Sequence, residues 1–134
     1  MKKILVSLLF SIFFAQQVEA KNLCLGTFSS FSFNHEGGDL LGVEIKVVPT
    51  KTGMQAAIQF SEGEPGSLVV VPIVCDGIHF SLKTPKDDGG SEAFIKGVVS
   101  KARFVGELVY VSGGREKLTL PRRKGIGISK RSLG

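Results

Sequence analysis

Past residue 24 the chain follows a two-residue rhythm. Residues 27–33 set Phe31 and Phe33 against Ser30 and Ser32, and residues 41–48 set Val43, Ile45 and Val47 against Glu44 and Lys46. Residues 54–60 set Met54, Ala56, Ile58 and Phe60 against Gln55 and Gln59, and residues 78–82 set Ile78, Phe80 and Leu82 against His79 and Ser81. The rhythm returns in residues 104–111, with Phe104, Gly106, Leu108 and Tyr110 on one side, and in 117–120, with Leu118 and Leu120. Residues 67–75 are almost wholly apolar around Pro72, and residues 93–100 are mixed around Gly97. Alternation with period two predicts strands, because successive side chains of a strand point to opposite faces. Turn formers separate these stretches, among them Asp76-Gly77 and the polar run 34–39.

Eight short strands joined by short connections predict an all-β chain. Connections this short favour sequential hairpins, and the simplest closure is an eight-stranded antiparallel up-and-down β-barrel, which removes exposed sheet edges. A two-sheet β-sandwich is the alternative. A barrel of this size is either filled by its own side chains or holds one small ligand. Pro72 cannot donate to a ladder, so a bulge or an irregular edge is expected around it.

The N-terminus follows a different pattern. Lys2 and Lys3 precede an apolar run over residues 4–15, and Val18 and Ala20 stand at the −3 and −1 positions of a cleavage site. This predicts a signal-peptide helix over 1–20, cut after Ala20, in a protein of the periplasm or the exterior. The run is shorter than the roughly 20 residues a spanning helix needs, so no integral membrane protein is expected. The expected organisation is a signal peptide (1–20), a barrel domain (21–123) and a basic flexible tail (124–134). Export into an oxidising compartment predicts that the two cysteines, Cys24 and Cys75, form one disulfide. No C-x-x-C spacing points to redox chemistry.

Composition narrows the function classes. At 134 residues, with 43% hydrophobic and 22% charged residues, the chain suits one folded domain and is not intrinsically disordered. The net charge of +5 is a property of the C-terminus. Residues 21–120 hold 10 basic and 11 acidic groups, whereas Arg122, Arg123, Lys124, Lys130 and Arg131 follow with no acid among them. That basic tail lacks aromatic residues, so specific nucleic-acid binding by stacking is not expected. Its expected reach is a weak contact with an anionic envelope surface.

Few residues carry a candidate chemistry. The loop bearing His35, Glu36 and Asp39 has three polar groups in five residues, but a single histidine there falls short of a metal set and reads as a solvated hairpin. His79 shares a strand face with Ser81 without the elbow motif of a nucleophile. Glu62 and Glu64 flank Gly63 and supply two carboxylates for a hydrolytic alternative. No catalytic residue, metal or cofactor is assigned. If the barrel is hollow, Phe31, Phe60, Phe80 and Phe104 are the candidate ligand-lining residues.

Gly26-Thr27-Phe28 opens the first strand, and Leu118-Thr119-Leu120-Pro121-Arg122 closes the last. Phe94-Ile95-Lys96-Gly97 and Phe104-Val105-Gly106 lie between them. In this pattern the chain resembles small exported bacterial β-barrels of the lipocalin- and avidin-like kind. In lipocalins the opening motif is Gly-x-Trp, and the Trp packs beneath an Arg of the last strand. The resemblance implies that Phe28 stands in for that Trp and that Arg122 or Arg123 is the cation above it. By analogy, the expected function is that of an exported non-enzymatic binding protein. Its barrel mouth or hairpin loops would engage a small ligand or a partner protein, a periplasmic hydrolase inhibitor being one such case. The alternatives are a small periplasmic hydrolase using Glu62, Glu64 or His79, and an envelope-associated structural protein held by the basic tail.

Overall fold

The structure is a computed structural model that describes residues 22–86 and 92–124. The expected signal peptide and tail residues 125–134, including Lys130 and Arg131, lie outside the described residues. Nine strands are formed: β1 (Gly26–Ser29), β2 (Ser32–Asn34), β3 (Asp39–Thr50), β4 (Gly53–Gly63), β5 (Pro65–Asp76), β6 (His79–Thr84), β7 (Ala93–Val99), β8 (Arg103–Tyr110) and β9 (Arg115–Arg123). From β2 to β9 each strand pairs antiparallel with the next, and β1 pairs with both β3 and β9 to close the ring. β1 and β2 share one register against β3, from Gly26↔Val47 to Asn34↔Asp39, with a break at Ser30 and Phe31. Together they form a single stave, so the molecule is a closed eight-stranded antiparallel β-barrel.

The break is local because Ser30 bridges it. Its N–H donates to the Val43 carbonyl at 2.9 Å, and its hydroxyl accepts the Val43 N–H at 3.0 Å. Each predicted strand is found close to its predicted place, and the irregularity expected at Pro72 takes another form. Pro72 is the last residue of β5 paired to β4, opposite Gln55, and pairing to β6 begins at the next residue with Ile73↔Leu82. The proline therefore sits where β5 passes from one neighbour to the other, a place where a missing donor disturbs the ladders least. The register shift between β4 and β5 lies elsewhere, at Gln59–Ser61.

The two-residue rhythm becomes an inside and an outside. Ile45, Val47, Ala56, Ile58, Val71, Ile73, Phe80, Leu82, Ile95, Phe104, Leu108, Leu118 and Leu120 form the buried core. The Phe104 ring meets Phe28 edge-on at 6.4 Å and Phe80 at 5.3 Å, and each such pair contributes about 1 kcal/mol beyond its burial. Room for the Phe104 ring comes from Gly97 and Gly106, which face each other across β7 and β8. A methyl group on either would stand within 2.7 Å of the ring tip, and on Gly106 it would strike the Lys96 carbonyl at 2.1 Å.

Strand direction defines two ends. The rim carries the connections after β2, β4, β6 and β8, and the base carries those after β3, β5 and β7. Segment 22–25 closes the base: Cys24 is wholly buried, and Leu23, Leu25 and Met54 pack against the core beside it. The disulfide Cys24–Cys75, with Cα atoms 6.4 Å apart, pins this plug to β5 across a separation of 51 residues. A loop that long removes unfolded-state entropy worth about 4 kcal/mol, a large share of the 5–15 kcal/mol typical of a whole domain.

Replacing both cysteines (Cys24→Ser with Cys75→Ser) should therefore lower the free energy of urea unfolding by about 4 kcal/mol. The wild type in reductant should shift by the same amount. Equal midpoints for the three samples would show that the plug is held by packing alone.

Candidate functional site on the outer wall

The four candidate lining residues do not converge on one chamber. Phe80 and Phe104 are core residues, 2% and 1% exposed, and the Phe104 ring meets both Phe80 and Phe28 edge-on. Phe60 is half-buried on β4, three residues from the rim end, and packs against the core from that side. Phe31 lies in the break between β1 and β2 and is only partly buried. The middle of the lumen is occupied by protein, as eight-stranded barrels permit.

Closure of the ring draws on the residues that the resemblance singled out. The Arg122 guanidinium carbon stands 4.5 Å from the centre of the Phe28 ring. Its Nη1 donates to the Leu25 carbonyl at 2.7 Å, and its Nη2 donates to the carbonyls of Leu23 at 2.6 Å and Ser100 at 2.8 Å. Burial draws its pKa below the ordinary arginine value. Arg122 and Arg123 thus belong to β9, and Arg122 is engaged in the fold rather than offered to a surface.

The rim is acidic. Glu36, Asp39, Glu62, Glu64, Glu92 and Glu116 stand at or next to its turns. The only tyrosine, Tyr110, reaches the lumen here and packs on the core. Burial, and then the carboxylates of Glu116 and Glu62, raise its pKa above the ordinary 10.0. The loop with His35, Glu36 and Asp39 is tightly built. The Asn34 side chain accepts the N–H groups of Glu36 at 3.0 Å and Gly37 at 3.4 Å, and the Gly38 N–H donates to the Asn34 carbonyl at 2.7 Å. His35 lies edge-on to the exposed Phe33 ring at 5.0 Å. Glu62 and Glu64 are at the rim, whereas His79 pairs with Asp76 at the base, so the groups of the hydrolytic alternative lie at opposite ends of the barrel. Among the described residues, no group of three or more His, Cys, Asp or Glu is placed to hold a metal ion. No described helix is long and apolar enough to cross a membrane.

The feature not anticipated from sequence is on the outside. Over the Gly97–Gly106 pair the outer wall forms an open concavity of about 780 Å³, spanning β5 to β9. Glycines inside strands mark tight bends, and two of them face to face concentrate the bend in one place. Val74, Val98 and Val105 line it, with Asp76, His79, Lys96, Glu107, Lys117 and Thr119 around them. The three valines are 68%, 41% and 49% exposed. Val74 also continues an apolar row along the outside of β5, formed with Leu68, Val70 and Pro72, all exposed. That row is why residues 67–75 read as apolar throughout: β5 is greasy on both faces although only one faces the core. The two-residue rhythm sets Gly106 on the face of Phe104 and leaves Gly97 in a mixed stretch, and their juxtaposition follows only from the register.

No protein-family model, curated protein or solved structure matches the chain.

Tyr110 offers a direct check of the rim geometry, since it alone gives a tyrosinate absorbance signal. Its midpoint should lie above that of free tyrosine, and Glu116→Gln should bring it part of the way back. A phenol whose pKa is raised by folding stabilises the fold fully below its unfolded pKa and ceases to do so as pH climbs through the folded one. Wild type should therefore lose stability above about pH 10 more steeply than Tyr110→Phe. A midpoint equal to that of free tyrosine would mean that the hydroxyl is free in solvent.

Proposed function

We propose that the chain is an exported, non-catalytic binding protein that receives a partner protein on its outer wall. The observation that carries this reading is the exposed valine cluster in the concavity over Gly97 and Gly106, on a barrel whose lumen is packed with its own side chains. Contiguous exposed apolar surface rimmed by polar residues marks an interaction site. Lys96, Glu107 and Lys117 form a cross-strand charge row beside the valines, which gives orientation and selectivity to a contact whose affinity comes from the apolar centre. A disulfide-pinned plug and a short chain suit life outside the cytosol. A second reading, a hydrolase inhibitor acting through the rim, draws on the β2–β3 hairpin: Asn34 stiffens its turn, and Phe33 and His35 are displayed on it.

The two readings separate by site-directed photo-crosslinking in the host cell. A crosslinker at Val98 should capture one partner of fixed mass, and Val105→Lys in the same chain should abolish the product while circular dichroism stays unchanged. A crosslinker at His35 should capture nothing under the outer-wall reading. Capture from His35 alone, or a stoichiometric small ligand in the purified barrel, would remove it.

A further inference from the structure

The closed ring is not paired along its whole height. β9 pairs with β8 from Arg115↔Val109 to Arg103↔Pro121. On its other side it pairs with β1 only at Thr27↔Arg123 and Phe28↔Arg122. Above that point the first stave breaks at Ser30 and Phe31 and continues as β2, which pairs with β3 alone among the described strands and leaves β9. The rim half of β9 therefore presents a sheet edge.

The direction of its main-chain groups follows from one hydrogen bond. The Arg122 N–H donates to the Ala102 carbonyl at 2.8 Å, toward β8. Main-chain groups of a strand point alternately to its two sides. Leu120, Leu118 and Glu116 therefore also bond toward β8, and the N–H and C=O groups of Thr119 and Lys117 point to the unpaired side. Pro121 fits the same alternation: its missing donor falls on the side away from β8. Lys117 and Thr119 also border the outer concavity, so the edge and the wall are continuous.

We infer that the rim half of β9 is a strand-addition site for an extended segment of a partner protein that alternates acidic and apolar residues. The inference rests on the outer-wall reading above and specifies its mode. An added strand satisfies the free groups of Lys117 and Thr119, and its side chains fall alternately outside and inside. Outside, the rim half of β9 presents Arg115 and Lys117 with no acid in the row. Side chains directly across a strand pair approach within about 5.5 Å, so acidic residues are favoured there. Inside, Leu118 and Leu120 face the core, so apolar residues are favoured in between. Arg115 already meets Glu107 at 3.4 Å, whereas Lys117 makes no ion pair among the described residues. A lysine on an open edge also disfavours pairing with a second copy of the same edge, which leaves an acidic strand as the matching occupant.

The test titrates isotope-labelled protein, at low ionic strength, with a capped heptapeptide alternating glutamate and valine. The Lys117 and Thr119 amide signals should shift, and their hydrogen exchange should slow by tenfold or more. Thr119→Pro, which removes only a donor pointing away from β8, should abolish the effect, and Thr119→Val should keep it. A lysine–valine peptide should not bind. If Thr119→Pro does not fold, exchange protection in the wild type and in Thr119→Val still decides. Unchanged exchange at Lys117 and Thr119 overturns the inference, and so does an equal response to the lysine peptide. The outer-wall reading falls separately: loss of crosslinking from Val98 removes that reading, whereas Val105→Lys should leave binding of the peptide to β9 intact.

Discussion

Everything in this barrel depends on how its last strand meets its first, and that meeting depends on Arg122. Only two residue pairs join β1 to β9, too few to hold a sheet edge by ladder bonds alone. Arg122 adds three charge-assisted hydrogen bonds, to the carbonyls of Leu23, Leu25 and Ser100, which tie β9 to the plug and to the β7–β8 turn. Charge-assisted bonds are about twice as strong as neutral ones. The guanidinium also covers the Phe28 face, a cation–π contact of about 1 kcal/mol, or more where water is excluded. Among the described residues no carboxylate pairs with the guanidinium, and its partners are carbonyl dipoles and a π face. Gly26 is part of the same construction. Its φ of +124° suits glycine, and a methyl group there would stand 2.8 Å from Nη1. Lysine would be a poor substitute at 122, because one ammonium cannot span three carbonyls and a ring in this geometry.

The consequence of this closure is a barrel used from the outside. With Phe28 held under Arg122, Phe104 and Phe80 pack edge-on in turn, and the lumen fills from the base upward. The disulfide holds the plug that supplies two of the Arg122 acceptors, so the two devices reinforce each other. Seating Phe104 requires the Gly97–Gly106 pair, and the outer concavity lies over that pair. The packing that fills the interior and the hollow that marks the exterior thus have one cause. The early break of the first stave, bridged by Ser30, leaves the rim half of β9 unpaired on its β1 side, beside that hollow.

Most of the architecture was legible in the sequence because a half-buried strand has to alternate. The eight stretches fall on the eight staves, Cys24 is bonded to Cys75, and of the two arginines named by the closing motif it is Arg122 that lies over Phe28. Register was not legible. Nothing in the rhythm sets Gly97 opposite Gly106, and the bulge or irregular edge expected at Pro72 is instead a change of neighbour. Phe60 keeps its place on the inner face near the rim, whereas Phe31 falls in the break between β1 and β2. The candidate site depended on a signal that alternation hides. β5 is apolar on both faces, and only closure shows which face the core uses.

Hydrogen exchange in Arg122→Lys, read at the Thr27 and Arg123 amides against those of β7 and β8, is the most direct test. If closure rests on the guanidinium, these two amides should lose protection first, through opening of the plug and β1, while the β7–β8 amides stay protected to the level of global unfolding. Equal protection at all four strands in the variant and the wild type would contradict it.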